Sequence, residues 1–495
     1  MSSGRRDVSG LKTEGDPSSG TDRGAERRKE SLPVSALRRF RSYQRLLAQD
    51  FRRTETIGLI VISLGLGIFT GTVCSLFEYI PDVIISLRVR FLPELGHGAL
   101  FWLAAFSLSF ILAGTAMYIT ARIAPEAGGS GIPEIEGALL SLRPVRWKRV
   151  LPVKFFTGLL SLGSGMILGR EGPSIQLGGA AGAMFADLSR GTSRQFRRHA
   201  LVAAGAAAGL TSAFNAPLAG ILFVYEELRA QFRFSFASIQ AVMAAVLAAC
   251  CVRQMMFGSD PVFDVPDYEA PALVFLIFCA VLGVFTGVVG SLFNYLVEKT
   301  QNFYVSLSKG KVLVKTLAAA VVGGAFGCIT FLLPDASGSG MSSIPSFITG
   351  SRGIMVLALL LLARFCGTLL CFCSGIPGGV FAPSLAIGTL TGAVFGVFCR
   401  DVLGVQGFPT ESFAVIGMCA FFASSVRAPV TGLVLVTEMT GDYGLILPML
   451  MSCFTATMTA RALRSTPIYT QILIRTLKAA GNHEGLALIR NLARR

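Results

Sequence analysis

The sequence predicts an all-α polytopic membrane protein made of two inverted-topology repeats, with broken helices meeting near the bilayer midplane. Three observations carry this reading: long apolar runs in a chain of low charge, an internal repeat, and loop charges that reverse between its two copies. The chain has 495 residues, 52% hydrophobic and 15% charged, where a soluble domain carries charge on roughly a quarter of its residues. Apolar runs recur, among them Ile57–Ile80, Ala99–Ile123, Ala237–Met256, Val312–Leu333 and Ile354–Cys373. Each approaches or exceeds the roughly 20 residues that a membrane helix needs.

Taken in order, residues 1–54 are polar and basic and read as a cytoplasmic tail with no cleavable signal peptide. Within it, VSALRRFRSYQRLLAQDFRR (34–53) reads as a basic amphipathic helix on the inner membrane surface. Residues 55–260 form the first transmembrane repeat, 261–463 the second, and 464–495 a cytoplasmic C-terminal helix and tail. The net charge of +15 is concentrated at the two ends, which places both termini in the cytoplasm by the positive-inside rule. Because this charge flanks membrane spans, it does not indicate nucleic-acid binding. The 11 cysteines lie mostly inside apolar runs and act as small apolar residues, and no cofactor or metal is expected.

The repeat is read from four matches in one order and at nearly one spacing. GIFTGTVCSLFEY (67–79) matches GVFTGVVGSLFNY (283–295), and KFFTGLLSLGSGM (154–166) matches RFCGTLLCFCSGI (364–376). GREGPSIQLGGAAGAMF (169–185) matches GVFAPSLAIGTLTGAVF (379–395), and APLAGILFVYE (216–226) matches APVTGLVLVTE (428–438). In the first half the loop at 81–98 has no net charge, whereas 143–149 and 187–198 are basic. In the second half the counterpart of the neutral loop, 298–315, carries Lys299, Lys309, Lys311 and Lys315. Equivalent loops therefore face opposite sides, the pattern of many secondary transporters.

Glycine and proline interrupt apolar sequence at GGSGIPEIEG (128–137), GREGP (169–173) and SGIPGGVFAP (374–383). Each marks a helix start. A start inside the bilayer leaves N–H groups unpaired, which is tolerated only where they line a cavity or hold something. Their partial positive charge suits an anion. Glu171 sits at one such start, and its counterpart in the repeat is Phe381, so the scaffold itself does not need a charge there. The bland alternative is an Arg170–Glu171 ion pair that stiffens the loop. Glu226 and Glu438 are repeat equivalents, which suggests a shared structural role such as capping. Glu227 has no acidic counterpart, Met439 standing in its place, and is the second functional candidate. His97, His199 and His483 are all expected in loops or the tail, so a proton path must rest on carboxylates and water.

GSGIPE (129–134), GREGP (169–173) and GGVFAP (378–383), in this order and followed by the tyrosine of STPIYTQIL (465–473), resemble the CLC family of chloride channels and transporters. The resemblance spans nearly everything outside the two tails and is to the bacterial proton/chloride exchangers in particular. It implies a homodimer in the cell inner membrane with one pore per subunit. Chloride at a central site is held by the hydroxyls of Ser130 and Tyr469 and the backbone N–H groups of Val380 and Phe381. Gly129 lies toward an inner site; Arg170, Gly172 and Ala382 lie toward an outer one. Glu171 matches the gating glutamate that also carries the outer proton, and Glu227 the inner proton-transfer glutamate. Ser130 matches the chloride-selective form, nitrate-preferring members having proline there. An acid at 227 separates exchangers from the alternative, a passive voltage- or pH-gated chloride channel of the same fold. Ending at Arg495, the chain is not expected to carry the paired regulatory domains of many eukaryotic members. An intramembrane serine hydrolase, suggested by GSGM at 163–166, would need a histidine base that the apolar segments lack, and no enzyme activity is expected.

Overall fold

The structure, a computed structural model, describes residues 53–96, 98–189, 194–228, 235–266, 268, 273–350, 352–405 and 409–493. Apart from Arg53, the amphipathic segment at 34–53 lies outside the described residues. The first half contains α1 (Arg53–Phe91), α2 (Ala99–Ile123), α3 (Ile132–Leu139), α4 (Trp147–Gly163), α5 (Glu171–Leu188), α6 (Arg194–Phe214), α7 (Pro217–Glu226) and α8 (Phe236–Phe257). The second contains α9 (Phe275–Ser308), α10 (Val312–Leu332), α11 (Ile344–Thr349), α12 (Ile354–Cys373), α13 (Phe381–Asp401), α14 (Thr410–Val426), α15 (Pro429–Thr440) and α16 (Ile446–Ala462). The chain ends with α17 (Ile468–Ala479) and α18 (His483–Ala493). Helices α1–α8 and α9–α16 correspond one to one in order, and the four sequence matches fall on α1/α9, α4/α12, α5/α13 and α7/α15.

Seven of these helices are long and apolar enough to cross a membrane. The apolar stretch of α10 is only 33% buried, and its Leu313, Leu317 and Val321 are exposed, as suits a lipid-facing helix. That of α13 is 83% buried, so this helix is interior. α3, α7, α11 and α15 are too short to span, and their ends must find partners within the protein.

The two halves are related by reciprocal bonds between equivalent residues. Gly169 and Gly379 exchange both backbone hydrogen bonds at 2.7 Å in an isolated antiparallel bridge. Gly129 N–H donates to the Gly375 carbonyl at 3.2 Å, and Gly338 N–H to the Gly165 carbonyl at 3.3 Å. The Glu226 carboxylate at the end of α7 accepts from Val430 and Thr431 N–H at the start of α15, at 3.2 and 2.6 Å. Glu438, ending α15, accepts from Leu218 and Ala219 N–H of α7 at 2.9 and 2.8 Å. These helices therefore lie antiparallel, each capped by the other's glutamate, which is the capping role expected for this pair. Swapping the halves reproduces every one of these bonds, so the repeat is inverted as the loop charges predicted.

Inside each half the helix pairs α5/α6 and α13/α14 touch backbone to backbone. A methyl group on Gly178 would collide with the Gly205 carbonyl, and one on Gly388 would stand 2.7 Å from that of Gly417. Small residues permit this approach between membrane helices. One expectation is corrected: His199 is not a loop residue. It lies buried in the second turn of α6, its Nε2 3.1 Å from the Leu139 carbonyl, because the helix begins at Arg194, within the basic segment.

Candidate functional site

Three helix starts converge where the halves meet. Gly131, with φ of +88°, ends the loop before α3; Arg170 precedes α5 and Val380 precedes α13. At none of these starts does the N-cap residue's own side chain make a capping hydrogen bond. The loops are sewn together by the Gly169–Gly379 bridge and by a 3.1 Å bond from Gly378 N–H to the Gly129 carbonyl. Gly172 packs directly on Ser130: a methyl group there would lie 2.9 Å from the Ser130 carbonyl and strike its hydroxyl. The first-turn N–H groups of α13 that begin at Phe381 have no intrahelical partner by construction.

Around this point the protein buries polar atoms without pairing them. Ser130, Glu171 and Tyr469 are at most 3% exposed. Ser130 Oγ, Tyr469 Oη and Glu171 Oε1 have no hydrogen-bond partner among the described residues. The Ser130 hydroxyl lies beside Gly172 in the first turn of α5, and a buried hydroxyl left without a ligand is costly. Tyr469, carried in by α17 from far along the chain, lies within electrostatic reach of both Glu171 and Glu227. The Phe381 ring lies 5.0 Å from that of Phe214 and 4.5 Å from that of Phe422. The expected residues Ser130, Glu171, Gly172, Val380, Phe381 and Ala382 thus come together. Gly129 is in the same loop, but its N–H is engaged by the Gly375 and Ile376 carbonyls, both at 3.2 Å.

The Glu171 carboxylate occupies the start of the opposite repeat's helix. Its Oε2 accepts from the Ala382 N–H at 3.2 Å, and Gly169 leaves room for it, since a methyl there would run into that oxygen. An anion on a helix N-terminus is favourably placed. Among the described residues Glu171 forms no direct ion pair with Arg170, the contact that the bland reading supposed. Arg170 turns the other way, to Glu78 at 2.8 Å and Asp82 at 3.1 Å, and its side chain is 15% exposed. Glu227 follows α7 as its C-cap, partly exposed; its N–H donates to the Phe223 carbonyl at 3.0 Å, and its side chain makes no hydrogen bond or ion pair among the described residues. Glu136 lies within its electrostatic reach and bonds the Thr470 side chain.

Sequence reasoning missed several partners of this site. Glu78, which holds Arg170, has Asn294 as its repeat counterpart. Lys154, wholly buried, donates to the Ala127 and Gly129 carbonyls. Gln176 reaches from α5 to the Glu126 carbonyl, and its counterpart is Ala386. Glu78 and Gln176 could have been found by the departure from the repeat that singled out Glu171.

A family model described as voltage gated chloride channel matches residues 109–461. The chain is 46% identical over 421 residues to an H(+)/Cl(-) exchange transporter of Vibrio cholerae serotype O1, covering 85% of this chain and 90% of that protein. It is 43% identical over 449 residues to one of Salmonella arizonae, covering 90% and 94%. Among solved structures it is similar to a slow cyanobacterial Cl-/H+ antiporter, with TM-score 0.81 and 32% identity over 85% of this chain and 98% of that one. It shares its fold with a eukaryotic CLC transporter, with TM-score 0.70 and 23% identity over 84% and 73%.

Proposed function

The chain belongs to the voltage gated chloride channel (CLC) family, and we propose that Glu171 works in it as an anion gate that moves aside on taking up a proton. The protein exchanges chloride for protons across a membrane. The observation that carries the gate is the hydrogen bond from Ala382 N–H to Glu171 Oε2, at 3.2 Å. An ionised carboxylate there stands where a transported anion would sit. Once protonated it loses its charge and most of its attraction to the helix start, and chloride takes its place. Each chloride arrival thus favours the protonated carboxyl and each departure its return, which couples the two ions in opposite directions.

Chloride is held at the central site by the Ser130 and Tyr469 hydroxyls and the N–H groups of Val380 and Phe381. These neutral donors replace hydration without the tight grip of a full charge, so that the ion can also leave. Gly129 lines the inner approach, and Gly172, Ala382 and Arg170 the outer one. Arg170 contributes from a distance, since Glu78 and Asp82 neutralise much of it. Glu227, unpaired at the end of α7, receives protons from the cytoplasm. The passive-channel reading gains nothing from an unpaired acid at that position.

The chain works as a homodimer with one complete pore per subunit. The exposed Leu218 and Val430 on the mutually capped α7 and α15 support a partner on that face. It sits in the cell inner membrane, with residues 1–54 and 464–495 on the cytoplasmic side of repeats 55–260 and 261–463. The test is a proteoliposome experiment in which a chloride gradient is imposed and external pH recorded. Uphill proton movement supports exchange. A reversal potential that follows chloride alone would establish the channel.

A further inference from the structure

In the second repeat one residue organises the loop before the broken helix. Arg364 of α12, wholly buried, donates from Nε to the Asp335 carbonyl at 2.7 Å and from Nη2 to the Ser337 carbonyl at 3.0 Å. Its Nη1 lies 3.5 Å from the Gly338 carbonyl. In the first repeat the counterpart of Arg364 is Lys154, and the loop counterparts are Glu126, Gly128 and Gly129. Lys154 Nζ reaches the Ala127 carbonyl at 2.9 Å and the Gly129 carbonyl at 2.6 Å, but it does not serve the Glu126 carbonyl. That oxygen accepts instead from Gln176 Nε2 at 2.7 Å.

The volumes agree with this division. A methyl group on Gly340 would stand 2.7 Å from Arg364 Nη1 and 2.8 Å from the Ala386 methyl. On Gly131, its counterpart, a methyl group would strike the Gln176 carboxamide. The space filled by a guanidinium beside alanine in one half is filled by a carboxamide beside a shorter ammonium in the other. Each arrangement supplies one positive charge and five N–H donors.

We propose that Lys154 and Gln176 are a split form of the Arg364 clamp, and that they are positioning residues holding Ser130 against the anion path. The split matters because of where the carboxamide is rooted. Gln176 belongs to α5, which begins with Glu171, so its bond to Glu126 ties the gate helix to the loop that carries Ser130. In the second repeat Ala386 makes no such tie, and the counterpart of Glu171 is Phe381. The linked arrangement is therefore found in the half that bears the gate. Gln176 Oε1, buried without a partner, is the one polar atom that the arginine form does not need. This inference rests on the reading of Ser130 as a chloride ligand.

The clamp is tested by exchanging its forms. Gln176→Ala removes one hydrogen bond and should weaken apparent chloride affinity about fivefold, while lowering chloride preference over nitrate. Lys154→Arg alone should impair affinity similarly, because the guanidinium needs the space that Gln176 fills. The double variant Lys154→Arg/Gln176→Ala rebuilds the second repeat's clamp and should restore chloride affinity to within about twofold of the starting protein, a change smaller than the loss of one ordinary hydrogen bond. Proton-to-chloride coupling should remain looser in the double variant, since the tie to α5 is gone. The measurements are chloride binding by calorimetry and paired flux in proteoliposomes. Losses that simply add in the double variant, or a Gln176→Ala protein with unchanged affinity and selectivity, would overturn the proposal. If the single variants do not fold, recovery of a folded double variant supports the exchange and its absence refutes it. A Ser130→Ala control that leaves chloride affinity unchanged would instead strike the underlying assignment of Ser130.

Discussion

At the residue scale, the proposed function rests on two acids whose carboxylates are less fully paired than those of their neighbours. Glu226 and Glu438 each satisfy two backbone donors, and Arg170 is answered by two acids. Glu171 keeps one oxygen free and the Glu227 side chain has no partner among the described residues. Replacing either of these with glutamine should abolish proton movement yet leave chloride flux, because an amide keeps the shape but cannot carry a proton. Paired chloride efflux and proton uptake in liposomes measures this. Uphill proton pumping by Glu171→Gln would show that the gate lies elsewhere, and retention of both fluxes by Glu227→Gln would transfer the inner role to another acid such as Glu136. Ser130→Pro should shift preference from chloride toward nitrate by about tenfold or more, the scale of a hydrogen bond to a charged group. The lost hydroxyl matters most to the smaller, more strongly hydrated ion. Competition flux assays report the ratio, and an unchanged value would remove Ser130 from the ligand set.

At the element scale, short helices decide the architecture. α7 and α15 end inside the protein, and their first N–H groups are met by the other's terminal carboxylate. Glu226→Ala or Glu438→Ala should each cost about 1 kcal/mol, as for a lost N-cap. The check is thermal unfolding in detergent, with the coupling ratio unchanged. Loss of coupling at unaltered stability in Glu226→Ala would instead draw that residue into the proton path. The broken starts of α3, α5 and α13 show the converse arrangement: their own N-cap residues make no side-chain cap, and at α13 the movable Glu171 carboxylate meets an N–H that a transported anion can also serve. The breaks were legible in the sequence because glycine and proline act locally. The register of α7 against α15 was legible only as a pair of equivalent glutamates, since capping across the repeat depends on two segments far apart in the chain.

At the scale of the whole molecule, the halves meet at the Gly169–Gly379 bridge, beside Glu171, the proposed gate. A methyl group on Gly379 would lie 3.1 Å from both the Gly169 carbonyl oxygen and the Gly172 nitrogen, closer than ordinary packing allows. Gly379→Ala should therefore part the loops by a few tenths of an ångström. We expect chloride affinity and turnover both to fall several-fold, at a cost of about 1–3 kcal/mol for overpacking. Gly58→Ala, with open space around it, is the control. Flux from Gly379→Ala equal to that of the control would mean that the interface has slack and that the site does not depend on it.

The sequence by itself determined the membrane class, the repeat and its inversion, the three helix breaks and the acids that depart from the repeat. Each is a property of composition, periodicity or short-range conformational preference, read without knowing the path of the chain. The roles proposed for Tyr469, Val380 and Phe381 came only through family resemblance, because no local pattern says which distant aromatic will come within electrostatic reach of Glu171. Tertiary structure alone decided that Arg170 turns to Glu78 and Asp82, leaving Glu171 to the Ala382 N–H. It also decided that Lys154 and Gln176 divide between them the work of Arg364. Such choices depend on which side chain reaches a buried polar atom first with suitable geometry, and only the packed arrangement of helices sets those distances.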